Sequence, residues 1–422
     1  MSRSNWVPSP RVCYLLTVTM AVFTLAAGAP AMADYAVIHN FAGGSSDGAS
    51  PWGSLIESGT TLYGMTLGGG SHSSGTIFQM DANGSSFSLV HTFGGGSSDG
   101  QTPYGSLVMS GGNFYGMTSG GGNSSTSGVV FQCWPSTQGF NDMFNVGVGG
   151  TGTWPQGSLV VSSNGGLVYG LTYNGGSASN RGTVFSVDTA SHNQSVLHTF
   201  KDSNVGAYPR GSLLLSGTTL YGMTSGDSSQ DKGTIFQVGT DATSFKTLHT
   251  FVGGANDGRD PKNGALIQSG TVLYGMTSAG GASNVGTIFS YDTNDGNFQV
   301  LYSFQGGPSD GSYPYGSLVQ SGTTLYGMTS SGGSQYSYGT VFAFDTVSNT
   351  INILHNFTAG TGDGRVPYGS LLLDGSTLYG MTSTGGQNNQ GTIFSITVPE
   401  PTSLGLLALG LLAVVRRRTR EV

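Results

Sequence analysis

Short runs of β-branched and aromatic residues, bounded by Gly, Ser, Asp and Pro at regular offsets, recur in a fixed order along this chain. The unit is clearest in Gly316-Ser-Leu-Val-Gln-Ser-Gly-Thr-Thr-Leu-Tyr-Gly-Met-Thr-Ser-Ser-Gly-Gly333, followed six residues on by Gly339-Thr-Val-Phe-Ala-Phe344. Its Tyr-Gly-Met-Thr core occurs seven times, at Tyr63, Tyr115, Tyr169 (with Leu for Met), Tyr221, Tyr274, Tyr326 and Tyr379, a period of 52 to 54 residues. Each unit parses into four strands. Strand A is Gly-Ser-Leu-x-x-Ser, as in Gly105 to Ser110, and a tight Ser-Gly turn leads into strand B, Thr-Leu-Tyr-Gly-Met-Thr. A Gly-Gly loop reaches strand C, with its Phe at 78, 131, 185, 236, 289, 342 and 394. Strand D reads Leu-His-x-Phe and ends at Phe93, Phe144, Phe200, Phe251, Phe304 and Phe357. Four short antiparallel strands cannot bury both faces unless neighbouring units stack on them, which predicts a propeller.

The ends of the array predict how the ring closes. The last unit stops after strand C, Gly391 to Ile396, and the missing strand D stands at the other end as Tyr35-Ala-Val-Ile-His-Asn-Phe41. Pairing the two would hide two aggregation-prone edges. The expected fold is an all-β, closed seven-bladed β-propeller of four-stranded antiparallel blades over residues 34–397.

The termini read differently. Residues 1–33 have the parts of a secretory signal: Arg3 and Arg11, an apolar run from Val12 to Ala27, and Ala31-Met-Ala33, with cleavage expected between Ala33 and Asp34. An uncleaved N-terminal anchor is the alternative. At residues 398–422, Val398-Pro-Glu-Pro401 precedes an apolar run from Leu404 to Val415 and then Arg416, Arg417, Arg418 and Arg420. The run is short for a membrane helix but could span with local thinning, the Arg cluster staying cytoplasmic. This order of motif, helix and Arg run resembles the PEP-CTERM sorting signal of Gram-negative bacteria, with Pro399, Glu400 and Pro401 as the motif. The resemblance implies recognition and processing by an exosortase, a membrane cysteine protease, and a final place at the cell envelope or outside the cell. An ordinary tail anchor predicts the same orientation without cleavage.

Composition narrows the function classes. Gly supplies 73 of 422 residues and only 8% are charged, without a collagen-like triplet period. Residues 34–398 hold eight Lys plus Arg against nineteen Asp plus Glu, a balance that offers nucleic acid no basic patch. Cys133 is the one cysteine left once Cys13 departs with the signal, so no internal disulfide can form. A buried small residue and a catalytic thiol are its two readings.

The repeated Leu-Tyr-Gly-x-Thr, Gly-Gly and Gly-Thr-Val-Phe segments are similar to the GloVer tandem repeats of bacterial exported proteins, over residues 35–396, a family that implies no defined activity. They are more distantly similar to kelch repeats, sharing the strand-B Tyr, the Gly-Gly loop and an Asp-Thr turn after strand C at Asp188, Asp292 and Asp345. The kelch Trp of strand D is absent.

Candidate chemistry is sparse. His39, His91, His198, His249 and His355 share one slot of strand D, with Met143 and Tyr302 filling it elsewhere, and copies one blade apart cannot share a metal. They read as hydrogen-bonded rim residues. Asp47, Asp99, Asp257, Asp310 and Asp363 each precede Gly, expected to form turns with a left-handed residue. Calcium would need six to eight oxygens and no Asp-x-Asp-x-Asp ladder is present. Glu57 is the only Glu of the repeat region, so a glycosidase pair cannot be nominated. No cofactor is implied, and a monomer is expected.

Long B-to-C and D-to-A loops should share one face. There the residue after the proline that ends each D-to-A loop should lie near the channel mouth: Trp52, Tyr104, Gln156, Arg210, Lys262, Tyr315 and Tyr368. In a closed ring the four aromatics form one arc and the three polar residues the other. Aromatics could stack a sugar ring while the cations engage its carboxylate or sulfate, or the rings could simply pack under their own loops. Three classes stay open: a non-enzymatic envelope module binding glycan or protein, a polysaccharide lyase or hydrolase with its site at the channel mouth, and a purely structural matrix protein.

Overall fold

A computed structural model describes residues 33–398 apart from 98, 123–126, 177, 202–205, 227–230 and 309. Seven four-stranded antiparallel sheets follow one another. Blade 7 is completed by the first strand of the chain, Asp34–Asn40, which pairs antiparallel with Thr392–Thr397 from Asp34↔Thr397 to Asn40↔Thr392. The predicted signal peptide up to Met32, the motif Pro399 to Pro401 and the apolar run to Val415 lie outside the described residues. Among the described residues no helix is long and apolar enough to cross a membrane.

Each blade is built on one cross-strand fit. In strand B the Gly of Tyr-Gly-Met-Thr faces the Phe of strand C, as in Gly64↔Phe78, and a Cβ on Gly64 would lie 2.5 Å from the Phe78 ring. Only Gly leaves room for that ring, which is fully buried. Between the blades lie seven apolar clusters, one per interface. The cluster joining blade 7 to blade 1, with Phe41, Tyr379, Met381 and Ile393 against Leu55, Leu62, Phe78 and Met80, is built like the others. Cys133 is buried in the interface of blades 1 and 2, where burial pushes its thiol up to about 12, so the thiolate is not available at neutral pH.

At the axis the expected strand A is shorter than its sequence run. Only its last residues pair, for example Val108–Ser110, while Gly105, Ser106 and Leu107 lead into it outside the ladder. The preceding Gly-Ser pairs instead close a ring. A Cβ on Gly157 would stand 1.9 Å from the Gly211 carbonyl oxygen of the next blade, and the same approach recurs around all seven blades. The Ser54 N–H donates to Ser106 Oγ (2.7 Å), Ser106 to Ser158 (2.8 Å), Ser158 to Ser212 (2.8 Å), Ala265 to Ser317 (2.7 Å), Ser317 to Ser370 (2.7 Å) and Ser370 back to Ser54 (2.8 Å).

The ring lacks one bond, because blade 5 has Ala265 where the others have Ser, so the Ser212 N–H meets no hydroxyl. Ala265→Ser is expected to add the seventh hydrogen bond and about 1 kcal/mol of stability. Thermal unfolding should show a higher midpoint than the parent; an unchanged or lower one would show that this amide is already satisfied.

Strand D carries a feature that alternation alone does not announce. All seven blades have a β-bulge there, between Val37 and His39, for instance, or opposite Ile77 and Phe78. The extra residue, such as Val90, turns into the blade interface. In blade 2 this corrects the expected alignment. Val130 pairs with Phe144 and Phe131 with Asp142, so Met143 is the bulged residue. Phe144 therefore fills the histidine slot and Val146, whose N–H donates to the Gly128 carbonyl, takes the place of the terminal Phe.

Candidate functional site at the loop face

The D-to-A and B-to-C loops do share one face, and in five blades they are zipped by two-residue ladders such as Gly48–Ala49 with Gly68–Gly69. The Asp of each Asp-Gly pair anchors them. Asp47 accepts the N–H groups of Ala42 (2.8 Å) and Gly48 (2.6 Å), and its carboxylate meets His39 Nε2 at 3.4 Å. The same clamp joins His91 to Asp99 (3.3 Å), His249 to Asp257 (3.2 Å) and His355 to Asp363 (3.2 Å), and Tyr302 donates to Asp310 (3.2 Å). The His and Asp series, separate in the sequence, are one device. Each of these histidines also lies flat on an aromatic ring of the next blade: His39 on Phe87, His91 on Phe140, His249 on Phe298, His355 on Tyr35.

The electrostatics follow the partner. For Asp99 burial acts upward, but the His91 hydrogen bond and charge and two backbone N–H groups outweigh it and hold the carboxyl below its usual range. Asp310 has Tyr302 instead of a histidine, and burial wins, raising it. The phenol of Tyr302 is pushed up to about 12 by burial and by the Asp310 charge.

The expected left-handed residue is not the Gly of Asp-Gly. Gly48 is confined by Thr66, whose side chain would lie 2.5 Å from an added Cβ. Positive φ falls on the residue before each proline: Ser50, Thr102, Trp154, Tyr208, Asp260, Tyr313 and Val366, at 52° to 58°. Local rules oppose that choice. Tertiary hydrogen bonds impose it: the Tyr313 N–H donates to Val285 of the preceding blade and its carbonyl accepts from Ser330 of its own.

Two loops depart from the clamp. The loop entering blade 3 has Thr151 in place of the Asp, and the one entering blade 4 has Val205 in the sequence. In blade 3 only an isolated bridge, Thr153↔Asn174, replaces the ladder. His198 is thereby left with a buried Nε2 that has no partner among the described residues, and burial, then Lys201, lowers it to about 4, keeping the ring neutral.

All seven predicted mouth residues are half-buried on this face. Tyr315, Tyr368, Trp52 and Tyr104 touch in series, with ring centroids 5.3, 4.2 and 5.1 Å apart. Trp52, Tyr104, Gln156 and Tyr368 line an axial cavity of ≈ 210 Å³ whose walls include the serine ring. Arg210 and Lys262 instead line a neighbouring cavity of ≈ 570 Å³, together with Tyr173, Tyr208, Lys232, Arg259, Asp231 and Asp260. Lys262 Nζ lies 5.6 Å from the Tyr315 ring centre and 3.3 Å from Asp260, so it joins the two arcs. Arg210 stands over the Tyr173 ring at 4.5 Å and donates to the Tyr173 hydroxyl (2.9 Å). Its buried Nε has no partner among the described residues. Sequence reasoning missed Tyr173, Tyr208, Lys232 and Arg259. The one available signal was that six of the eight cations of the propeller fall between Lys201 and Lys262. Among the described residues no group of three His, Cys, Asp or Glu side chains could hold a metal ion.

Solved structures resemble the chain in fold alone. An oligogalacturonate lyase in complex with manganese superposes with a TM-score of 0.52 at 13% identity, covering 81% of this chain and 86% of that one. The extracellular domain of a protein described as a one-component system of B. thetaiotaomicron gives 0.53 at 9%, covering 86% of this chain and 40% of that one. No curated protein matches. Residues 397–419 match the PEP-CTERM protein-sorting motif, which implies exosortase-dependent sorting. Residues 20–228 and 204–394 match the Gloeobacter/Verrucomicrobia repeat, and with its seven blades in place the chain belongs to that repeat family as an exported β-propeller with a C-terminal sorting signal.

Proposed function

We propose that this propeller is a non-enzymatic module of the cell envelope whose loop face binds an acidic polysaccharide. One observation carries the reading: on a ring with a large surplus of carboxylates, four of eight cations line one cavity against two carboxylates among the described residues. One of its walls is the loop entering blade 4, which has given up the Asp clamp, and the cavity adjoins an unbroken arc of four aromatic rings. Charge-assisted contacts from Arg210 and Lys262 would hold a carboxylate or sulfate, and the apolar faces of sugar rings would lie against Trp52 and its neighbours. Sorting by an exosortase would deliver the module to the envelope, with the chain cut after Pro401.

Calorimetric titration with an acidic polysaccharide tests the reading. The double variant Trp52→Ala and Arg210→Ala should lose roughly 100-fold in affinity, by loss of one charge-assisted and one aromatic contact, with unchanged circular dichroism. Unchanged affinity in the folded variant would remove the mouth as the site. Release of cleaved oligosaccharide would favour the lyase or hydrolase instead, and no saturable ligand would favour a structural protein.

A further inference from the structure

Three large aromatic side chains stand exposed among the described residues, Trp154 (43%), Tyr313 (42%) and Tyr336 (56%), and all belong to loops of this face. A single exposed ring needs no explanation. Trp154 and Tyr313, however, hold the same slot in their loops, directly before Pro155 and Pro314. The slot has positive φ in every blade, 58° and 55° at these two. At the other five positions it holds Ser50, Thr102, Tyr208, Asp260 and Val366, none of them exposed. Bulky residues are disfavoured in this conformation, so the backbone does not account for a Trp and a Tyr there.

Their placement does. Trp154 is in the loop entering blade 3 and Tyr313 in the loop entering blade 6, while Arg210 and Lys262 come from the loops entering blades 4 and 5. The two exposed rings therefore flank the basic cavity on either side around the ring. We infer that Trp154 and Tyr313 are outer sugar-stacking platforms, so that the face grips an internal stretch of a linear anionic polysaccharide rather than a chain end. A ligand touching both must cross two intervening blades, more than a disaccharide reaches. This rests on the reading of the face as an acidic-glycan site.

The test is titration of the protein purified from its host with uronic-acid oligomers two and eight sugars long. Trp154→Ala and Tyr313→Ala should each weaken the octamer about tenfold and leave the dimer unchanged, while Arg210→Ala weakens both. Trp154→Phe should recover most of the loss. Octamer binding that is sensitive to Arg210→Ala yet indifferent to both aromatic variants would overturn the platforms and leave the proposed function standing. Equal weakening of dimer and octamer by Trp154→Ala would overturn them too, placing Trp154 in the central site. A parent protein that binds neither oligomer would remove the glycan reading, and this inference with it.

Discussion

A chain that begins at Ala42 should fail to fold as a monomeric, cooperative ring. The strand Asp34–Asn40 supplies the outer ladder of blade 7, and Phe41 beyond it is fully buried between blades 7 and 1. Loss of a side chain buried like Phe41 costs roughly 3–5 kcal/mol by itself. Removal of the strand also takes Tyr35, which stacks on His355 at 3.7 Å and donates to Asp363 at 2.7 Å. The exposed edge of Thr392–Thr397 would then invite pairing with other chains. Size-exclusion chromatography and thermal unfolding of the shortened chain should show aggregation or a collapsed midpoint. A monomer melting at the parent temperature would contradict closure by this strand.

The second large effect is expected at the axis. Gly157→Ala places a methyl group 1.9 Å from the Gly211 carbonyl oxygen, and that oxygen belongs to the backbone of a ring that cannot shift one blade without shifting its neighbours. A cost of roughly 1–3 kcal/mol or more is expected, as for overpacked cores. Gly362→Ala is the control, since an added Cβ there meets nothing within 4 Å and φ is not positive. Chemical denaturation should separate the two variants clearly. Equal stabilities would mean that the axial packing is looser than these distances.

Blade number, strand type and closure were legible because they depend on period and alternation, and because a strand C without its strand D leaves an edge that must be covered. The loop face was legible in part: all seven residues after the prolines lie on it, but only Trp52, Tyr104, Gln156 and Tyr368 line the axial cavity, while Arg210 and Lys262 line the neighbouring one. What sequence could not show depends on meetings across blades. His39 and Asp47 are eight residues apart, yet nothing local says that one carboxylate serves a histidine and two amides together. The blade 2 slot was misread because Met143 and Phe144 are both apolar, so that a bulge decides which one takes the histidine position. The left-handed residue before proline runs against local preference and is imposed by hydrogen bonds to two blades. Lys232 and Arg259 line one cavity with Arg210 from different loops, which the stacking of blade 5 on blade 4 brings together.

Amide hydrogen exchange with and without an acidic polysaccharide tests the central claim most directly. Protection should be confined to the D-to-A and B-to-C loops of this face, around Arg210, Lys262, Tyr315 and Trp52, and should fade with added salt as screened ionic contacts do. Protection confined to the opposite face, at the A-to-B and C-to-D turns, or no change at any amide, would contradict it.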